Sequence, residues 1–393
     1  MDMMMDKNSL KHQDYIEIKG FPNLEDRRTC KEFLSVPWSI YKDDAAWVPP
    51  LHIERRMHLS ASNPYFKHAK CRFWIAYRQG IPVGRISAQI DSLHIDRYQD
   101  STGFWGMLEA ENRKDTVEAL LHKAEQWLRA HGIKQALGPF NLSINQECGL
   151  LVDGFNTPPS MMMGHARPWY KTHIEACGYT KAKDLLAYTI DRDQGQPLAI
   201  RRLLEKNSRG MRTRGIDKSR LEQEMDTIFG IFNNAWSNNW GFIPFERDEY
   251  QEIGNTMRYI ADSRLIRIAE IDDEPAGFIV VLPNLNEAIK DLNGRLLPFG
   301  WLKIIWRMKV KRPETGRVLL MGVIKKYRDT LAGAAITYGL FSDIQQAVRE
   351  LGMKRLELSW ILEDNMIMRR IIEALGGKVY KTYRIYGRKI GDT

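Results

Sequence analysis

The sequence predicts an α/β protein, a mixed sheet flanked by helices, written twice along one chain of 393 residues. Three observations predict it. "IAYRQGIPVG" (75–84) and "IAEIDDEPAG" (268–277) align without gaps and share Ile, Ala, Pro and Gly. Each reads as a strand, a tight turn and the start of a second strand. Two helical patterns, "VEALLHKAEQWLRAHG" (117–132) and "LFSDIQQAVRELG" (340–352), both stop at a Gly, and thirteen positions after each Gly stands an Asn, Asn145 and Asn365. Finally "IEACGYTKAKDLLAY" (174–188) and "IEALGGKVYKTYRIY" (372–386) both read Ile-Glu-Ala-x-Gly, with Tyr188 and Tyr386 ten residues beyond the Gly. Landmarks in the same order point to an internal duplication.

In chain order, residues 1–14 open with "MDMMMDKNSLKHQ", which carries two Asp and no long apolar core, so a frayed tail is expected rather than a signal peptide. Residues 15–190 form the first copy: helix pair, hairpin, strand, helix, strand, helix, strand. Its Asn-to-Gly spacing is 33 residues against 11 in the second copy, and the extra stretch "GLLVDGFNTPPSMMMGHARPWY" (149–170) is too rich in Gly and Pro for a helix. Residues 191–210 are polar and basic and read as a linker; residues 211–393 repeat the plan.

Composition narrows the class. A hydrophobic fraction of 44% with 10% aromatics suits a packed core, and the length suits two domains. The four Cys show no C-x-x-C spacing, so neither a zinc site nor a disulfide framework is expected. Free thiols fit a reducing cytoplasm, and no apolar run approaches the roughly 20 residues of a membrane span. The net charge of +9 admits nucleic acid, anionic lipid, a polyanionic cofactor, or a merely basic surface.

In the second copy "RVLLMGVIKKYRDTLAGAAITYGLF" (317–341) joins a buried strand to a helix through Lys325, Lys326 and Arg328, with Gly333 just inside the helix. Such a turn aims free backbone N–H groups and the positive helix end at one point, which suits a phosphate. An ordinary connection with solvated basic residues has the same pattern.

This order of elements, with "VIKKYRDTLAG" after the fourth strand and "LEDN" after the fifth, resembles the GNAT acyltransferase superfamily. The resemblance implies tandem GNAT folds, an Arg-x-x-Gly-x-Gly/Ala turn that holds the coenzyme A pyrophosphate, and splayed strands that admit pantetheine. Carried across, Arg328 and Gly333 match the ends of that motif, with Lys326 beside them. Met321, Gly322 and Val323 fall on the pantetheine edge, and Asn365 matches the Asn after the fifth strand. Two residues depart from the pattern: Leu331 replaces the central Gly, and Asp329 would repel pyrophosphate. In the first copy "MLEAENRKDTVEALLHKAEQWLRAH" (107–131) has no Gly and acidic residues at the turn, so that copy is read as degenerate.

A narrower resemblance is carried by "VPWSIYKDDAAWVPP", "GLLVDGFNTPP", "NNAWSNNWGFIPF", "NGRLLPFGW", "LSWILEDN" and "YKTYRIY". Together they are similar to a bacterial subfamily that includes bacterial ceramide synthases. The resemblance implies transfer from a fatty acyl-CoA to the amine of a sphingoid-type base, without a metal. Independently of it, "GRLLPFGWLKIIWRMKVKR" (294–312), with Trp301 and Trp306, suits either an anionic membrane surface or a plain amphipathic helix over the sheet. "SMMM" (160–163) suits a chain-binding wall or ordinary core.

Every His and Cys lies at or before Cys177, so the second copy has neither, and direct attack of the amine on the thioester is expected. The base is then a carboxylate (Glu357 or Glu363), a water, or a His from the first copy. Tyr383 is a further candidate for catalysis, and Asn238, Asn239, Trp240 and Tyr386 are candidates for substrate contact; packing is the competing role for each Tyr. The superfamily's Tyr acid falls at Ile372, which leaves that role unassigned. Two other functions fit the sequence: aminoacyl transfer from tRNA, which needs no pyrophosphate turn, and non-catalytic binding of acyl-CoA or lipid. The leading reading involves no nucleic acid and places the enzyme in the cytoplasm, peripheral to the inner membrane.

Overall fold

A computed structural model describes residues 15–194, 202, 210–260 and 262–391. The expected tail 1–14 and most of the expected linker 191–210 lie outside the described residues. The chain divides into two compact units. The first holds the residues up to Pro158, Met163–Asp184, and those from Arg384 onward; the second holds Pro159–Met162 and Leu185–Tyr383. This division differs from a single cut near residue 190, because three short segments belong with the unit remote from them in sequence.

In the first unit β1 (Ile16–Phe21), β2 (Ala69–Arg78), β3 (Ile81–Asp91) and β4 (Thr102–Ala110) form an antiparallel run. Next, β5 (Gln135–Gly138) pairs parallel with β4 over Thr102–Phe104. The helix Lys114–Ala130 connects them, with Val117, Leu120, Leu121, Ala124 and Leu128 as one buried stripe. It ends before Gly132 at φ 81°, as the sequence predicts. After β5 come a small hairpin, β6 (Phe140–Asn141) with β7 (Glu147–Cys148), then β8 (Leu150–Asp153), the helix Trp169–Ala176 and β9 (Thr180–Asp191).

The second unit repeats the order. β10 (Met211–Gly215), β11 (Ile266–Ile271), β12 (Glu274–Pro283) and β13 (Thr315–Val323) are antiparallel, and β14 (Arg355–Leu362) is parallel to β13. Both expected hairpins are present, as β2–β3 and β11–β12. The helix Leu331–Glu350 crosses between β13 and β14 and stops before Gly352 at φ 75°. Its Ile336, Leu340 and Ile344 pack with Ile279, Val281 and Leu356 on one face of the sheet. Phe229 and Phe232, from the helix Leu221–Trp236, cover Phe278 and Val280 on the other.

The sixth strand of each unit comes from the other sequence copy. Leu185–Asp191 of β9 runs antiparallel to β14 in the second unit. Tyr386–Lys389, near the end of β15 (Lys378–Lys389), runs antiparallel to β5 in the first.

Candidate active site

The parallel pairing of β13 with β14 covers only Thr315–Val318 against Arg355–Leu358. Beyond it β13 stays with β12 as far as Val323, while β14 follows β9 through Ile361 and Leu362. Between the diverging strands lies a cleft of about 780 Å³, within the range of small-molecule sites. Met321, Gly322 and Val323 line one wall, Ser359, Trp360 and Ile361 the other, and Thr337, Phe341 and Ile372 come from the helices beneath. The expected pantetheine edge therefore borders a real opening. Ile372 is fully buried and apolar, which leaves no acid at that position.

At the mouth of the cleft the helix Leu331–Glu350 begins. Thr330 is its N-cap, accepting from Gly333 N at 3.1 Å, and the Thr330 carbonyl takes Ala334 N. The first four N–H groups of a helix have no partner within it. Those of Leu331 and Ala332 remain without a partner among the described residues. Arg328 lines the cleft beside them, and among the described residues its guanidinium makes no hydrogen bond or ion pair. Gly333 is required here, since a Cβ would lie 2.0 Å from the Tyr327 carbonyl oxygen. Leu331, the departure from the family motif, has helical backbone that asks nothing of glycine, and its side chain is 64% exposed at the rim. Asp329 is exposed at the same rim. Lys326 lies over the Tyr327 ring at 5.0 Å and is not among the lining residues.

Asn365 lines the cleft as N-cap of the helix Met366–Ala374, its Oδ1 accepting from Met368 N at 3.2 Å. Its amide Nδ2 has no partner among the described residues. Asn238, Asn239 and Trp240 line the opposite side, on the turn after the helix Leu221–Trp236. Lys325 ties the end of that helix and its turn to the turn before Leu331, its N donating to Asn234 Oδ1 (2.8 Å) and its Nζ to Asn238 Oδ1 (3.2 Å). Trp236 Nε1 donates to the Met321 carbonyl at 2.8 Å.

Glu357 is buried on β14 and does not line the cleft. Its carboxylate accepts from Ser359 Oγ on one oxygen, and from Ser160 Oγ (2.7 Å) and Tyr380 OH on the other. Arg317 Nε lies 3.9 Å from Glu357 and donates to Ser359 Oγ at 2.8 Å. Its NH1 donates to the Met161 carbonyl at 2.8 Å. Burial of the Glu357 carboxylate is costly, and the nearby Arg317 charge with three hydrogen bonds offsets part of that cost. Burial, and then the charge of Glu357, hold the Tyr380 phenol protonated well above its usual range. Ser359 lines the cleft, so one hydroxyl separates the cavity from the carboxylate.

The remaining expected residues sit elsewhere. Glu363 is half-buried, its carbonyl holds Arg369 NH1 at 2.7 Å, and it is not in the lining. Tyr383 is fully buried on β15 and also absent from the lining. Tyr386 is fully buried in the first unit, where its OH meets Glu175 Oε1 at 3.2 Å. Both tyrosines are fully buried, and neither is in the cleft lining. Sequence reading missed Ser160, Arg317, Ser359 and Tyr380. The available signal was Glu357 and Ser359 two apart on one strand, which share a face.

In the first unit the corresponding places are filled. Met107 N donates to Asn141 Oδ1 at 2.7 Å, and a Cβ on Gly106 would lie 1.7 Å from the Phe140 carbonyl oxygen, so backbone occupies the gap beside β4. At the start of the helix Lys114–Ala130, Arg78 already pairs with Glu111 (3.0 Å) and Asp115 (3.2 Å). The positive helix end meets the protein's own carboxylates.

Solved structures of the same build include the tandem GNAT protein from the clavulanic acid biosynthesis pathway. That likeness has a TM-score of 0.56 at 15% identity and covers 96% of this chain and 100% of that one. The GCN5-related N-acetyltransferase from Sphaerobacter thermophilus matches with a TM-score of 0.52 at 12% identity, over 95% and 96% of the two chains. The splayed sheet and its cleft thus belong to the GNAT-like mixed α/β fold. In sequence the chain is 44% identical over 374 residues to Protein YghO of Escherichia coli strain K12, covering 95% of each. It is 43% identical over 363 residues to the bacterial ceramide synthase of Caulobacter vibrioides, covering 92% of this chain and 94% of that one. No family model matches the chain. The chain belongs to the family of these two relatives and has the GNAT-like mixed α/β fold.

Proposed function

We propose that this enzyme transfers a fatty acyl group from acyl-CoA to the amine of a sphingoid-type lipid base, using the second unit as its site. The first unit is a GNAT-like copy that has lost its cofactor cleft, within a tandem arrangement of residues 15–190 and 211–393. The observation that carries the reading is Arg328: a guanidinium without a partner among the described residues, beside two open helix N–H groups at the mouth of the cleft. Cation and amides together suit a pyrophosphate. Asn365 Nδ2 and the edge Met321–Val323 would hold the amide-bearing arm, and Asn238, Asn239 and Trp240 the acceptor.

In the reaction the amine nitrogen bonds to the thioester carbon, the C–S bond breaks, and the sulfur departs to be protonated by water at the open mouth. Ser359 would take the amine proton and pass its own to Glu357, while Arg317 fixes the Ser359 oxygen from behind. Glu363 and Tyr383, outside the cleft lining, are given no part in this step. The lipid product implies a peripheral contact with an anionic membrane surface.

Titration with acyl-CoA tests the site. Arg328→Ala should weaken binding by roughly 10- to 150-fold, the equivalent of about 1.5–3 kcal/mol for a charged hydrogen bond. Unchanged affinity would remove the phosphate role. Salt-sensitive retention of tRNA, with no stabilisation by any CoA, would replace the reading with aminoacyl transfer.

A further inference from the structure

Residues 294–312 join β12 to β13 through a short helix, Gly300–Trp306, that continues into a π-helical turn, Arg307–Lys311. The root of the segment is fixed: Arg307 donates to the Ala288 carbonyl at 2.8 Å and to Asp291 Oδ2 at 2.8 Å. Past that root the usual partition of side chains is reversed. Seven of the sixteen exposed large hydrophobic side chains among the described residues fall between 297 and 310, and Leu297 is 79% exposed. Trp301 and Ile305 stand four apart on the helix Gly300–Trp306, as do Leu302 and Trp306, which gives neighbouring pairs on its surface.

Charge accompanies these side chains. Arg295, Lys303, Lys309, Lys311 and Arg312 are exposed, and residues 294–312 contain no Asp or Glu. Among the described residues none of these five side chains has an ion-pair partner. Long cationic side chains around exposed Trp and Leu suit a headgroup boundary, where stems lie along apolar matter and charges reach phosphate. A protein partner fits less well. Interface cores are depleted of Lys, and a patch of this length offers on the order of several hundred Å² against about 800 Å² per side for a stable complex.

The segment also has a useful place on the sheet. It enters β13 at Thr315, whose N–H donates to Glu287 Oε1 at 2.9 Å. The phosphate-side turn leaves the other end of that strand, after Val323, roughly 26 Å away at about 3.3 Å per residue. Lipid-seeking and phosphate-seeking features thus stand at opposite ends of one strand.

We propose that residues 297–310 are a membrane-docking surface that inserts its apolar side chains at the headgroup–acyl boundary of an anionic bilayer. The purpose of this surface rests on the lipid-amine reading, whereas its binding chemistry does not. Arg307, held by Asp291 and the Ala288 carbonyl, is not one of the lipid-facing cations, and the exposed Leu302 and Val310 belong to the inserting set.

The test uses the full chain with phosphatidylcholine vesicles, with and without phosphatidylglycerol, read by flotation and by Trp fluorescence. The wild type should float only with the anionic vesicles, show a blue shift, and lose at least tenfold in partition when salt is raised well above physiological strength. Lys303→Ala, Lys309→Ala and Lys311→Ala should each cost about fivefold. Trp301→Ser with Trp306→Ser should abolish flotation while leaving the thermal melt intact. Flotation retained by that double variant overturns the proposal. A wild-type dimer that the same variant dissolves also overturns it, and assigns the face to a second copy. Turnover of a short-chain acyl-CoA with a water-soluble amine, measured without vesicles, separates the two ideas: its absence in the wild type counts against the acyl-transfer reading alone.

Discussion

Replacing Gly333 by Ala should destabilise the protein, although Gly→Ala in a helix ordinarily stabilises by up to about 1 kcal/mol. The reason is the turn beneath it. A Cβ at this position lies 2.0 Å from the Tyr327 carbonyl oxygen and 3.1 Å from that of Arg328. The Tyr327 oxygen also accepts from Thr330 N at 3.1 Å and Thr330 Oγ1 at 2.8 Å, so it cannot retreat without disturbing the N-cap. Relieving the clash needs a shift of about 1 Å or more, an overpacking cost of roughly 1–3 kcal/mol. Loss of the cap adds about 1 kcal/mol, and the propensity gain offsets about the same amount. The net expectation is about 1–3 kcal/mol of destabilisation, read as a lower urea midpoint with an unchanged slope. Acyl-CoA affinity should fall at least tenfold, because the turn that carries Arg328 moves with the clash. Thr330→Ala is the control, costing about 1 kcal/mol without steric intrusion. A Gly333→Ala protein as stable as the wild type, with full affinity, would refute the account of the turn.

Other consequences follow from the two units. Glu357→Gln and Ser359→Ala should each lower kcat by about 10²–10⁴ with little change in acyl-CoA affinity, and Ser359→Thr should restore part of the rate; equal losses in Ser359→Thr and Ser359→Ala would argue for packing instead of proton transfer. Substitutions at Glu111 or Asp115 in the first unit should leave acyl-CoA affinity unchanged in the same titration, since that helix end is already paired with Arg78. Burial raises the Glu109 carboxyl from its ordinary 4.5 to about 7, against Arg85 and the Tyr41 and Tyr170 hydroxyls. The folded state therefore binds this proton more tightly than the unfolded state. The stability it contributes is full below pH 4.5 and is lost as pH rises through about 7, by at most roughly 3 kcal/mol before solvent screening. Glu109→Gln should flatten that slope in urea titrations from pH 5 to 8, and an unchanged slope would assign it to other groups.

The sequence showed the paired hairpins, the helix stops at Gly132 and Gly352, and several of the residues that line the cleft, because each rests on local chemistry. Period-two strands, left-handed glycines and a turn before a helix are properties of contiguous residues. Arg328, Gly333 and Asn365 were legible for that reason. The Glu357 cluster was not. Its members come from residues 160, 317, 359 and 380, and only folding brings them together. The same limit applies to Tyr383 and Tyr386: period two places residues three apart on opposite faces of a strand, but does not say what covers each face. Leu331 misled in the other direction. As an exposed first-turn residue it leaves the amides beside it open, so the missing glycine matters less than its place in the motif implied.

The repeated Ile-Glu-Ala-x-Gly…Tyr stretch gains its meaning from strand exchange. Tyr188 faces Leu358 on β14 and donates to Glu373 Oε1 at 2.8 Å, while Tyr386 faces Gly138 on β5 and meets Glu175 at 3.2 Å. Each Tyr thus bonds to the Glu of the other copy of the motif, within the unit it completes. The two stretches do the same structural job, each completing a unit. A fragment of residues 211–393 would lack Leu185–Asp191 and leave β14 with an open edge beside the cleft, and residues 15–190 would leave β5 open likewise. Expressed separately, both fragments should aggregate or fail to fold; expressed together, they should recover acyl-CoA binding. A monomeric 211–393 fragment that binds acyl-CoA with full affinity would show that the exchanged strand is dispensable to the site.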